Sequence, residues 1–303
     1  MSARILQDTA IRYFLEVVRC GSISEAATRL NVTASAISRQ ISGLESALDT
    51  VLFERRSRGM EPSAAGELLA AYAFRNQLET ERVHNEIQAL NGLGRGEVRI
   101  ACTAGFAVDL VPRAINQFRQ QYPGISFQLD VVIAREVSRR LIEAEADIGL
   151  TFSQAPEPHL NVEYRLNAPI MAIMHREHPL ADKHSLMLSQ LSGYPLGLPS
   201  RNILMRTVLD AGFSRKGLPM NIAFTTSSIV ALLAFAQAQD CIVFSTEPLV
   251  RSYLAANQMV AVPIKDRDMN SLNIELHTLA GRNLPRAVAV FMEQLKTLLT
   301  EEQ

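Results

Sequence analysis

Arg39 stands among Ser35, Ser38 and Ser42, spaced so that one guanidinium and several short hydroxyls share a single side of a helix. Such a face can enter a DNA major groove, where an arginine fork matches paired acceptors on base edges and phosphates. Thr33, at the head of the same stretch, is the residue type that caps a helix start, and free amides at a helix start favour a phosphate. Arg55, Arg56 and Arg58 form a second basic group, suited to phosphates or a minor groove.

Another set of polar residues follows short apolar runs in the later part of the chain. Cys102, Thr103 and Gly105 follow one such run, Thr151 and Phe152 end a second, Ser200 and Arg201 follow a third, and Thr226 and Ser227 follow a fourth. Open α/β sheets bind ligands beyond the carboxyl ends of their strands, so these positions suggest a small polar ligand, a carboxylate or other anion. The bland reading is that Thr103 and Ser227 only cap helices, and capping and binding can coexist.

Other chemistry finds little support. No nucleophile–base–orienter set or glycine-rich phosphate motif stands out, so neither an enzyme nor a cofactor is expected. Cys20, Cys102 and Cys241 are far apart and odd in number, which points to a reducing compartment. Cys102 invites a redox reading, but no resolving partner is evident and a small buried residue is expected. His175, His178 and His184 invite a metal reading, against which a loop beside Pro179 is expected to leave them in solvent. The formal net charge of −1 over 303 residues gives no global pull toward nucleic acid. No apolar run reaches the roughly 18 residues of a membrane span, and no apolar signal core opens the chain. A cytoplasmic protein without a membrane partner is expected.

Elements must hold these groups in place. Ile11, Phe14, Leu15 and Val18 share one face of a helix stopped by Gly21. Ser22 and Glu25 have capping-box spacing at the start of a second helix. Asn31–Thr33 is a tight turn into a third helix, whose Ile37, Ile41, Leu44 and Leu48 form a buried stripe. Two helices joined this way read as a helix-turn-helix, and Glu54–Met60 as a hairpin or wing. A long helix runs from Ala64 to about Gly92, with Leu69, Asn76, Val83 and Leu90 at one seam position and Ala73, Thr80 and Ile87 at the other, which fits dimerisation. Gly92, Gly94 and Gly96 mark a joint. Beyond it, strands and helices alternate, arguing for a parallel sheet covered by helices, followed by a second unit of similar kind.

The first 66 positions resemble the amino-terminal domain of LysR-type transcriptional regulators, through GSISEAATRLNVTASAISRQISGLE, LFER, an Arg-Gly wing and Ala65-Gly66. The likeness continues through GEVRIA, YPGI, ADIGL and HPLA. It implies an α+β multidomain chain: a winged helix-turn-helix over residues 1–63, a linker helix over 64–93, and a two-lobed effector domain over 94–303 that resembles periplasmic binding proteins. The lobe crossings are expected near Glu163 and Lys265, giving lobe 1 as 94–163 with 266–303 and lobe 2 as 164–265. The resemblance also places Ser38, Arg39 and Gln40 at the DNA surface and Arg55 and Arg58 on the wing. Implied partners are double-stranded DNA, a small-molecule effector and a second copy of the chain, with tetramers expected. RNA polymerase is a further candidate partner. Ala34-Ser35 replaces the frequent Gln-Pro pair, and Gln239 and Cys241 replace two common glycines, so neither base preference nor effector transfers from the family. The alternative is a solute-binding or enzymatic α/β domain for which the first module is a tether.

Overall fold

The computed structural model describes residues 8–56, 59–89, 96–153, 157, 159–256 and 258–301. Arg58 and Leu90, singled out above, lie outside them. Two compact units result: Met1–Gly92 with Arg282–Pro285, and Leu93–Gly281 with Arg286–Gln303.

In the first unit, Asp8 caps α1 (Thr9–Cys20) by accepting from the amides of Ala10 and Ile11, and Gly21 ends it at φ 63°. Ser22 accepts from the Glu25 amide at the start of α2 (Ile23–Leu30), while the Glu25 carboxylate takes Arg29 at 3.1 Å. Asn31 turns left-handed at φ 56° and leads through Thr33 into α3 (Ala34–Leu48). β1 (Phe53–Arg56) and β2 (Gly59–Pro62) pair antiparallel as the expected hairpin. Gly59 takes φ 126°, and a Cβ there would fall 2.5 Å from the Gly21 carbonyl oxygen. That close approach lets the Met60 amide donate to the same oxygen at 2.8 Å, fastening the wing to the turn between α1 and α2. Phe14, Val17, Ala26, Ile37, Ile41, Leu52 and Phe53 form the core, with the Phe14 and Phe53 rings 5.1 Å apart. Leu44 packs at its edge, but Leu48 is 52% exposed, so the stripe ends one turn earlier than its spacing implied.

α4 (Ala64–Ala89) is continuous. Its Leu69 and Ala70 pack on the domain's own core, and Gln77 accepts from Arg19 of α1 at 2.8 Å. Of the proposed seam residues, Leu69 therefore faces its own domain and Ala73 and Thr80 are buried, while Ile87 is exposed, as are Leu68 and Tyr72.

The second unit begins with β3 (Gly96–Cys102), α5 (Leu110–Gln121), β4 (Ile125–Val131), α6 (Ala134–Ile142) and β5 (Ile148–Ser153). β3 lies parallel to both β4 and β5, as alternation implies. β6 (Leu160–Asn167) was not foreseen. β7 (Met171–His175), α7 (Leu188–Leu191), β8 (Leu196–Pro199), α8 (Leu204–Arg215), β9 (Ile222–Thr226), α9 (Ile229–Phe235), β10 (Val243–Ser245), α10 (Arg251–Ala256) and β11 (Met259–Pro263) build the second lobe. β12 (Asn273–Leu279) and α11 (Arg286–Glu301) return to the first.

The first lobe's sheet runs β4-β3-β5-β12-β6, with β12 antiparallel to both neighbours, so it is mixed rather than parallel. Because β6 belongs to this sheet, the chain crosses after Asn167 rather than near Glu163. The return lies around Met269–Leu272, beyond Lys265. The two crossings are tied side by side: the Ala168 amide donates to Leu272 O at 2.9 Å and the Ile170 amide to Met269 O at 2.7 Å. The first lobe is packed by Phe118, Phe127 and Phe291, whose rings meet at 4.8–5.7 Å. The second is packed by Ile170, Met174, Leu209, Phe213, Ile242 and Phe244.

Candidate nucleic-acid interface and ligand cleft

α3 is held by both ends. Thr33 Oγ1 accepts from the Ala36 amide at 3.2 Å, and Asp49 closes the helix in the left-handed region at φ 48°. Glu45, inward of that end, accepts from the Leu52 amide at 2.9 Å. With Ile37 and Ile41 buried beneath, Ser35, Arg39 and Ser42 are exposed and Ser38 is half-buried beside them. Arg39 has no hydrogen-bond or ion-pair partner among the described residues, so its guanidinium is uncommitted. Thr33 and Ser35 share a hydroxyl contact at 3.1 Å, which joins the cap to the face. Gln40 stands apart: at about 100° per residue it lies roughly 140° round the helix from Ser35. Ser42 fits the face better. Arg55 lies on β1 of the wing.

The second set falls into two groups, one per lobe. In the first lobe, Cys102 pairs with Leu150 across parallel strands, and the Thr103 amide donates to Leu150 O at 3.1 Å, next to Thr151. Phe106 and Phe152 rings meet at 5.4 Å. Thr103 precedes a short 3-10 turn, Ala104–Ala107, yet its side chain makes no capping bond. Its hydroxyl has no partner among the described residues. Cys102 itself is fully buried, and burial pushes its thiol up to about 12, so it stays protonated and inert. In the second lobe, the Ser200 amide donates to Thr226 O at 3.0 Å, bringing those two strand ends together. Arg201 and Ser227 are exposed. The cap of α9 is Ser228, which accepts from the Ala231 amide at 3.2 Å, rather than Ser227.

Phe152 bridges the groups, since it projects from the first lobe's sheet onto the second lobe's core. Asp109, just before α5, accepts from the Ser252 amide of α10 at 3.3 Å. Thr246, the first residue after β10, is fully buried, and its Oγ1 has no hydrogen-bond partner among the described residues; its only sequence signal is a hydroxyl between the buried Ile242–Phe244 run and Pro248.

The histidines do not gather. His178 is buried rather than solvated, its ring 4.6 Å from Tyr194 and its Nδ1 accepting from the Leu180 amide at 3.1 Å. Burial lowers its pKa. Among the described residues no group of histidine, cysteine and carboxylate side chains has the makings of a metal site. Nor is any described helix long and apolar enough to cross a membrane.

Residues 9–67 match the bacterial regulatory helix-turn-helix protein, lysR family, and residues 91–300 match the LysR substrate binding domain. The chain is 28% identical over 219 residues to the HTH-type transcriptional activator CmpR of Synechocystis, spanning 72% of each. It is 27% identical over 286 residues to the nitrogen assimilation regulatory protein nac of Escherichia coli, spanning 92% of this chain and 91% of that one. A full-length OxyR variant from Pseudomonas aeruginosa shares the fold with a TM-score of 0.69 at 18% identity, over 98% of this chain and 95% of that one. CbnR complexed with its target DNA gives 0.54 at 21% identity, over 98% and 100% of the two chains.

Proposed function

The chain belongs to the LysR family of transcriptional regulators, and from that premise we propose how its parts divide the work. It is a DNA-binding regulator, not an enzyme, with a helix-turn-helix and a substrate-binding domain. Residues 1–63 read duplex DNA, 64–93 pair two chains, and 94–303 sense a small anionic effector.

On DNA, Ser35, Ser38, Arg39 and Ser42 meet the major groove, Thr33 sits near a phosphate, and Gln40 flanks them. Arg55 and Arg58 serve the backbone from the wing. The observation that carries this is the uncommitted Arg39 guanidinium on the exposed face of a doubly capped helix. The solved complex of CbnR with its target DNA makes duplex DNA the natural partner. Two copies pair through α4, where the exposed Leu68 and Tyr72 lie one turn apart. A tetramer and a contact with RNA polymerase belong to the same reading.

The effector sits between the lobes, against the free hydroxyls of Thr103 and Ser227, with Thr151, Phe152, Ser200, Arg201 and Thr226 around it. Gly105 keeps the first loop close. A ligand favouring one lobe arrangement over another shifts the geometry presented to DNA. Selection of duplexes from a random pool by the full-length protein, followed by footprinting across a salt series, tests the DNA assignment. A defined site whose log affinity falls steeply with log salt is expected; a shallow slope with no selected site favours the tether alternative. The effector assignment predicts that small anions, and not cations or apolar compounds, raise the melting temperature with concentration.

A further inference from the structure

We infer that Thr246 supplies the innermost hydroxyl of the effector site and donates to an oxygen of the bound anion. This rests on the reading that an anionic effector sits between the lobes. Four observations lead to it.

The first is topological. β8 and β9 run parallel, and Leu196 of β8 forms a parallel bridge with Ile242 at the entry to β10. Three strands thus point the same way, and Ser200, Ser227 and Thr246 are the first residues beyond their carboxyl ends. Ligands of open α/β sheets bind at that edge. Two of the three were chosen from the sequence, and Thr246 completes the row.

The second is direction. Thr246 keeps extended backbone, φ −109° and ψ 145°. Alternation along the strand therefore carries its side chain to the side of Ile242 and Phe244. Phe152, from the first lobe's proposed set, packs against the cluster that contains both.

The third is contact with the opposite lobe. A Cβ on Gly105 would fall 2.6 Å from Leu249 Cδ1, so the loop after Thr103 lies directly against the Leu249 side chain in the turn after Thr246. The Ser252–Asp109 bond at 3.3 Å fastens the same segment one turn further on. Thr246 thus begins the stretch of the second lobe that meets the loop bearing Thr103.

The fourth is the hydroxyl itself. Thr246 is 0% exposed, and its Oγ1 has no hydrogen-bond partner among the described residues. Buried polar groups are nearly always paired, so an orphan at a strand-end edge calls for a partner from outside the chain. A carboxylate or sulfate-like oxygen meets that need, because a charge-assisted bond from a hydroxyl is short and strong.

Thermal shift of the full-length protein with sulfate, phosphate, acetate and succinate tests this in three forms: the natural chain, Thr246→Val and Thr246→Ser. Valine keeps the shape and removes the hydroxyl. Without anion, Thr246→Val should melt higher by about 2–4 °C, since it relieves an unpaired buried group. With the anion that shifts the natural chain, its Kd should rise about tenfold or more, while Thr246→Ser stays within about threefold. A Thr246→Val melting point unchanged or lowered without anion, or an undiminished response to the anion, overturns the Thr246 assignment alone. If none of the four anions shifts the natural chain, the anionic-effector reading falls and this assignment with it.

Discussion

The DNA-reading unit is assembled from near neighbours in the chain and turns its chemistry outward; the sensor unit is assembled from distant segments and turns its chemistry inward. In the first, each helix is stopped and started by residues within a turn or two: Asp8, Gly21, Ser22, Asn31, Thr33 and Asp49. In the second, β12 inserts between β5 and β6, pairing Glu275 with both Thr151 and Arg165. The outward face leaves Arg39 exposed, where solvation costs it nothing before DNA arrives. The inward edge leaves Thr246 buried, where a missing partner is destabilising. A site for a polyanion that comes and goes can wait in water, whereas a site that must recognise one small molecule has to be closed and shaped.

The largest test of this contrast is whether the two cores fail separately. Phe14→Ala removes a fully buried ring from the first core and Phe118→Ala one from the sensor, each expected to cost about 3–5 kcal/mol in its own unit. Hydrogen-exchange mass spectrometry should show lost protection confined to the unit carrying the change. Spread of either effect through the whole chain would break the comparison.

Arg39→Ala should weaken specific DNA binding by about 1–3 kcal/mol without changing anion-induced thermal shifts. An unchanged footprint and affinity would remove Arg39 from the interface.

Acidification separates the winged helix-turn-helix from the sensor by their histidines. Residues 1–63 contain none, while burial lowers the pKa of both His178 and His277 in the sensor, with Arg165 adding to the effect at His277 and Glu275 and Glu157 opposing it. Below the ordinary value near 6.5 the unfolded chain therefore binds more protons than the folded one. Sensor stability should fall as pH drops from about 6.5 toward 5.5, by at most about 1.4 kcal/mol per histidine per pH unit. Residues 1–63 should hold over that range, as read by exchange protection at each pH.

The smallest expected effect compares two caps. Thr33→Ala and Ser228→Ala should each destabilise by about 1 kcal/mol. The first alone should also lower DNA affinity in a gel-shift titration, and equal affinities would leave Thr33 as a cap only.

Much of the first unit was legible because its determinants are short-range. The exceptions came from packing: Leu48 has helical spacing but is 52% exposed, and Leu69, given a seam position by its spacing, packs partly on its own core. In the sensor, the strand-end sets could be read as types and spacings. β6, α10 and β11 were missed, and with β6 the crossing moved past Asn167. A strand such as Leu160–Asn167 carries only a partial alternation of burial, and its place beside β12 is set by residues more than a hundred positions away.

What the sequence determined by itself, then, was the helix-turn-helix from Gly21 to Gly66: its caps, its turn and the face that carries Arg39, since each is fixed by groups within four or five residues of one another. Only the tertiary structure decided that Leu48 is left exposed, that the chain crosses between lobes after Asn167, that His178 is buried, and that Thr246 stands unpaired beyond the end of β10. Those outcomes depend on which distant surfaces close over a residue, and a side chain's own type and near neighbours do not specify them.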